Sequence, residues 1–180
     1  MKAEQDRIPK HPKRRIGILI GAILAIAVLA FVFGNSLLSK QESAALSTSV
    51  MDAVEGLLRP IVELFTDGPV DDALLHKVIR KGAHFVEFAG LSALLTVILW
   101  LLCGTWRTHA MGYVLFISLL FGVVDEFIQS FTGRGTSVRD VMLDFGGTLI
   151  GILLAIGAIE LISYLRRRRK TETENNKGGA

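Results

Sequence analysis

Apolar residues fill four long stretches of the chain, 16–34, 83–102, 110–131 and 141–165, and polar segments separate them. A helix rises about 1.5 Å per residue and the hydrocarbon core of a bilayer is about 30 Å thick, so roughly 20 apolar residues suffice to cross it. The pattern predicts an all-α membrane protein with four transmembrane helices. They form one domain, 16–165, between a basic tail at 1–15 and a basic, polar tail at 166–180.

The segment 35–82 is long and acidic. Val50, Val54, Leu57, Leu58, Ile61, Leu64 and Phe65 recur there at helical spacing, with Asp52, Glu55, Arg59 and Glu63 between them. That spacing predicts a helix lying on the membrane surface or across the mouth of the bundle, either a lid or a simple cover. Pro60 lacks an N–H and its ring meets the preceding turn, so two short pieces or a kink are expected. Thr66-Asp67-Gly68-Pro69 reads as a turn, after which Asp71 and Asp72 suit the first turn of a helix that runs on into the second span.

Composition agrees with the pattern. The chain has 180 residues, 51% of them hydrophobic, and a mean hydropathy of +0.47, too apolar for an ordinary soluble domain. The first apolar stretch follows Lys10, Lys13, Arg14 and Arg15, is longer than the roughly 7–15 residues of a signal-peptide core and has no A-x-A site after it, so an uncleaved signal anchor is expected. Of the 20 Lys and Arg, thirteen lie in the two tails or at Arg107 in the turn between the second and third stretches. Positive charge marks the cytoplasmic side, so both termini are expected inside and the segments 35–82 and 132–140 outside. The run Arg166 to Lys170 then suits the anionic inner leaflet rather than nucleic acid, and residues 171–180 read as a disordered tail. The single cysteine, Cys103, forms no internal disulfide and is read as packing.

Candidate chemistry stands out because it interrupts apolar sequence. A charge near the middle of a bilayer costs about 2.5–3.5 kcal/mol on insertion scales, which makes ionisable residues in a span informative. Lys81, His84 and Glu87 open the second span, Asp125, Glu126 and Gln129 end the third, and Asp140 and Asp144 open the fourth. In the expected topology all lie at the outer ends of their helices, and spacings of three or four residues put Lys81, His84 and Glu87 on one helix face, Asp125 and Gln129 on another, and Asp140 and Asp144 on a third. Arg134, between Gly133 and Gly135, has a loop able to fold tightly and offer its guanidinium to a phosphate or carboxylate. Gly147 and Gly151 continue the stripe of Asp140 and Asp144 as a small-xxx-small pattern, suited to close approach by another helix or to a homo-oligomer.

These residues suggest roles. His84 is the candidate general acid, base or nucleophile, with Glu87, Asp125 and Glu126 as catalytic partners that orient it or activate water. Lys81, Gln129, Arg134, Asp140 and Asp144 are candidate substrate-binding residues. A divalent metal on Asp125, Glu126 and Asp144 is open, although no ligand spacing is diagnostic. The competing structural reading is that the acids and cations only pair with each other, or snorkel to the interface. An ion pathway is disfavoured, since 114–123 and 149–159 offer almost no polar groups.

Taken together, Lys81-Gly-Ala-His84-Phe85-Val-Glu87-Phe88, Asp125-Glu126-Phe-Ile-Gln129, Gly133-Arg134, Asp140 and Gly147 resemble the VanZ-like family of small polytopic membrane proteins, named for a factor of low-level teicoplanin resistance. The resemblance covers about residues 77–151. Two positions depart from it: Phe88 stands where the family commonly has tyrosine, and Asp144 where it commonly has asparagine. The resemblance implies a protein of the bacterial cytoplasmic membrane, linked to cell-envelope chemistry and glycopeptide resistance. It also implies a polar core that handles lipid head groups, with Lys81, His84, Glu87, Asp125, Glu126, Gln129, Arg134 and Asp140 at matching positions. Two functions are expected to compete. One is an enzyme, a hydrolase or transferase, acting on a phospholipid or polyprenyl-linked phosphate. The other is a non-catalytic binder of a lipid or lipoglycopeptide.

Overall fold

A computed structural model of the chain describes residues 12–38, 48–64, 71–104, 108–132 and 137–178. They form five helices: α1 (Pro12–Leu37), α2 (Thr48–Glu63), α3 (Asp72–Cys103), α4 (Thr108–Phe131) and α5 (Val138–Gly178). No strand occurs among the described residues. Four of the helices, α1, α3, α4 and α5, are long and apolar enough to cross a membrane. They run alternately up and down, so the C-terminal ends of α1 and α4 meet the N-terminal ends of α3 and α5.

Local chemistry sets the boundaries. Pro12 opens α1, where its missing N–H costs nothing. The Asp71 side chain accepts a hydrogen bond from the Ala73 N–H and caps α3, while Asp72 stands in the first turn, where both acids were expected. Gly104, at φ +72°, closes α3 by donating its N–H to the Trp100 carbonyl at 2.8 Å, a left-handed conformation that glycine adopts freely. Ser137 caps α5: its hydroxyl accepts from the Arg139 N–H at 3.2 Å, and its carbonyl from the Asp140 N–H at 2.9 Å, as residues before a helix commonly do.

Packing is tightest between α3 and α5. A Cβ on Gly147 would overlap the Phe85 carbonyl oxygen and stand 3.1 Å from its carbon, and one on Gly151 would overlap that of Ala89 and stand 2.7 Å from its carbon. Ser92 Oγ then crosses the seam to the Thr148 carbonyl at 3.0 Å. The glycine face thus receives the chain's own second span. Elsewhere α1 lays Gly17 and Gly21 against Leu101 and Ile98 of α3, and Phe33 meets Phe121 of α4 edge to face at 6.1 Å. Phe88 and Leu91 are fully buried, whereas Ile16, Leu19, Ile23, Phe116, Leu153 and Leu154 stay exposed. Exposed apolar surface on every spanning helix is what a lipid-facing bundle presents.

As the acidic pair at 71–72 implied, the second span is the C-terminal part of a 32-residue helix that starts at Asp72. At about 1.5 Å per residue such a helix is roughly 48 Å long, well beyond the hydrocarbon core. Its extra turns receive α2, whose Val54, Leu58 and Val62 cover Leu75 and Ile79. Arg59 pairs with Glu55 and with Asp72, the latter at 2.6 Å. Residues 48–63 form one helix rather than two short pieces, with Pro60 in its last turn, where it deprives only the Gly56 carbonyl of a donor. The tail expected to be disordered continues α5 to Gly178. No Gly or Pro interrupts 166–176. Arg168 also pairs with Glu172 at 3.2 Å, a contact between side chains one turn apart. Cys103 is exposed rather than packed, since it is the last residue of α3, beyond the close contacts with α1.

Candidate functional site

The polar residues of the three later spans meet at the end of the bundle where α3 and α5 begin. Asp125 is the centre of one group and is fully buried. Ser36, near the end of α1, donates its hydroxyl to Asp125 Oδ1 at 2.5 Å, and Gln129, one turn further along α4, donates Nε2 to Oδ2 at 2.7 Å. The Gln129 amide also reaches Ser36 Oγ at 3.5 Å. From α3, His84 brings Nδ1 to 3.8 Å from Asp125 Oδ2 and 3.4 Å from Glu87 Oε2. These are ion-pair rather than hydrogen-bond distances, so two carboxylates flank one imidazole edge without locking it.

Glu126 points to a different wall, as consecutive residues on a helix must. Its Oε2 accepts the backbone N–H of Ser137 at 2.9 Å. That contact lies at the positive end of the α5 dipole and ties the C-terminal end of α4 to the start of α5. Beside it Lys81 and Asp140 form an ion pair between α3 and α5. Asp144, 3% exposed, packs against Gly122 of α4. No described residue donates it a hydrogen bond. Its electrostatic neighbours are four carboxylates: Asp125, Glu126, Asp140 and Glu87.

A small open cleft lies between these walls. His84, Glu126, Gln129, Lys81, Asp140 and Asp144 line it, joined by Arg80 and Leu143. Eight of the nine expected site residues are therefore described and gathered at one end of the bundle, although Glu87 and Asp125 stand behind His84 rather than on the cleft. Arg134 lies outside the described residues. Among the described residues no three His, Cys, Asp or Glu side chains come together as a metal-binding group, so the donor set of Asp125, Glu126 and Asp144 is not assembled. The physical reason is the divergence of Asp125 and Glu126 into separate walls.

Three contributors were not anticipated from sequence. Ser36 is one small hydroxyl at the end of an apolar helix and carries no signal by itself. Ser137 reads as loop until the cap is seen. Arg80 did carry a signal, since it precedes His84 by four residues and so shares its helix face. Among the described residues, none from α2 lines the cleft.

Beneath the cleft, Ser92, Thr96, Ser118 and Thr148 are buried. Thr96 Oγ1 returns to the Ser92 carbonyl at 2.7 Å, a bond within its own helix.

The VanZ/LLP1 family model matches residues 19–162. No curated protein and no solved structure matches the chain. The matched region extends beyond the three motif-bearing spans to include α1, the helix that supplies Ser36 to Asp125, so it takes in all four apolar helices and every described wall of the cleft. The chain belongs to the VanZ/LLP1 family.

Proposed function

We propose that this VanZ/LLP1 protein lies in a bacterial cytoplasmic membrane with both termini on the cytoplasmic side, and takes a lipid head group into the cleft from the outer leaflet. The candidate substrates are a phospholipid or a polyprenyl-linked phosphate. The observation that supports this reading is the placement of the cleft: polar groups from α3, α4 and α5 line a small opening at one end of helices whose flanks are otherwise apolar. A lipid can lay its chains along such flanks and its head group in the cleft. The concentration of Lys and Arg in the two tails supports the orientation.

Within this reading His84 is the group for proton transfer. Glu87 and Asp125 flank Nδ1 and the ring borders the cleft, so the two carboxylates stabilise an imidazolium at the place where a proton is to be moved. In a hydrolysis, His84 takes a proton from water as its oxygen attacks phosphorus, and returns that proton to the departing alkoxide. The experiment is lipid extraction and mass spectrometry of cells carrying the wild-type protein, His84→Gln or Asp125→Asn. A lipid that changes with the wild type and not with either variant, at equal membrane abundance, supports catalysis; variants that lose the protein itself make the two residues structural.

A second reading, a non-catalytic binder, is favoured by one observation. Lys81 is held by Asp140 and Glu126 by the Ser137 N–H, so these cleft side chains are committed to joining α3, α4 and α5 rather than to moving protons. Under that reading lipids co-purify with the protein and leave unaltered, and His84→Gln has no effect on cellular lipids. In either form we propose a link to glycopeptide resistance, checked by teicoplanin susceptibility of cells with and without the protein.

A further inference from the structure

The polar side chains around the cleft are mostly committed to one another. Lys81 is paired with Asp140, Glu126 holds the Ser137 N–H, and Gln129 holds Asp125. Two are not. Arg80 is half-buried on the cleft wall and makes no hydrogen bond or ion pair with a described residue. Asp144 lines the same cleft, is only 3% exposed, and has neither a hydrogen-bond donor nor a cation among the described residues. The two do not pair with each other.

An unpaired buried carboxylate is costly, and four neighbouring carboxylates add repulsion to the lost hydration. A guanidinium is a planar fork whose geometry fits phosphate. The cleft thus offers an anion site and a cation site on the walls of one opening. A simple anionic head group would satisfy Arg80 and leave Asp144 repelling it.

We infer that the cleft selects a zwitterionic head group, its phosphate on Arg80 and its primary ammonium on Asp144. This rests on the reading that a lipid head group enters the cleft, and it narrows the class to an aminoalkyl phosphodiester. His84, on the same wall as Arg80, then faces the atoms that join phosphate to amine.

The test is native mass spectrometry of the purified full chain in detergent with equimolar phosphatidylethanolamine and phosphatidylglycerol. The wild type is expected to retain phosphatidylethanolamine about tenfold better, the worth of one charge-assisted contact. Asp144→Asn, similar in shape, is expected to abolish that preference while keeping phosphatidylglycerol binding. Arg80→Gln is expected to weaken both lipids alike. On the unsubstituted protein, ethanolamine should compete with phosphatidylethanolamine only, which reads the Asp144 site without any variant. Competition by soluble glycerophosphoethanolamine supports the head group as sufficient; an Asp144-dependent preference without it supports the membrane lipid as the source. Phosphatidylglycerol retained as well as phosphatidylethanolamine, or a preference that survives Asp144→Asn, overturns the zwitterion inference while loss of binding in Arg80→Gln keeps the cleft. Equal retention of both lipids by the wild type and both variants removes the head-group reading itself.

Discussion

Asp125 receives two hydrogen bonds while fully buried, and one comes from a helix that bears none of the recognisable motifs. Ser36→Ala leaves Oδ1 without its donor, and a buried charged acceptor that loses a partner costs about 1–3 kcal/mol. The expected result is a lower unfolding midpoint of the purified protein in detergent, with Gln129→Leu giving a comparable loss. Because the Gln129 amide also reaches Ser36 Oγ, the double variant is expected to lose less than the sum of the two single losses. A strictly additive double variant would mean that the three side chains do not act as a unit. Individual motif residues were legible because carboxylates and a histidine are conspicuous in apolar sequence. Their partners were not: Ser36 is an unremarkable residue type for its place, and its role exists only once α1 is set beside α4. The separation of Asp125 from Glu126 was equally hidden, since adjacency in sequence suggested one joint site where the helix turn creates two.

The helices associate through absence of side chain as much as through its presence. At Gly151 even a methyl group would overlap the Ala89 carbonyl oxygen and Ser92 Oγ, and would stand 2.7 Å from the Ala89 carbonyl carbon. Gly151→Ala is therefore expected to push α5 away from α3 and to cost about 3 kcal/mol or more, at the upper end of overpacking penalties. Gly157→Ala, on the same helix with open space around it, is expected to be neutral or to stabilise by up to about 1 kcal/mol through helix propensity. Yield of monodisperse protein and its thermal midpoint distinguish the two; similar behaviour of both would contradict the close contact at Gly151. The four spans were legible because each needs a long unbroken apolar run, a signal that little else imitates. Their extensions were legible at one end only, since the acids at 71–72 marked the start of α3. The polar first turns of α3 fold because α2 covers Leu75 and Ile79, a tertiary contact that apolar spacing in 50–65 suggested without fixing its target. The polar end of α5 is helical although no apolar face marks it, carried by residues without breakers and by the Arg168–Glu172 pair. Pro60 does not divide α2, since fewer than one turn follows it and only the Gly56 carbonyl loses its donor.

At the scale of the whole molecule the two ends of the bundle differ in chemistry, and the chain carries its own marker for telling which faces which compartment. Cys103, the only cysteine, is exposed at the end of α3 opposite the cleft. Ser130 is exposed near the C-terminal end of α4, on the side of the cleft. If the Lys and Arg distribution sets the topology, Cys103 faces the cytoplasm and Ser130 the exterior. A membrane-impermeant maleimide applied to intact cells or spheroplasts is then expected to leave the wild-type protein unlabelled and to label it once the membrane is opened. A Cys103→Ser, Ser130→Cys variant is expected to react in the intact cells. The reverse pattern would turn the cleft toward the cytoplasmic leaflet, where its head group would come from the inner lipid pool and a direct encounter with an extracellular glycopeptide would be impossible. Because both probes lie on the same folded bundle, slow reaction at one of them through lipid shielding is recognised by its persistence after the membrane is opened, whereas a difference in topology disappears at that step.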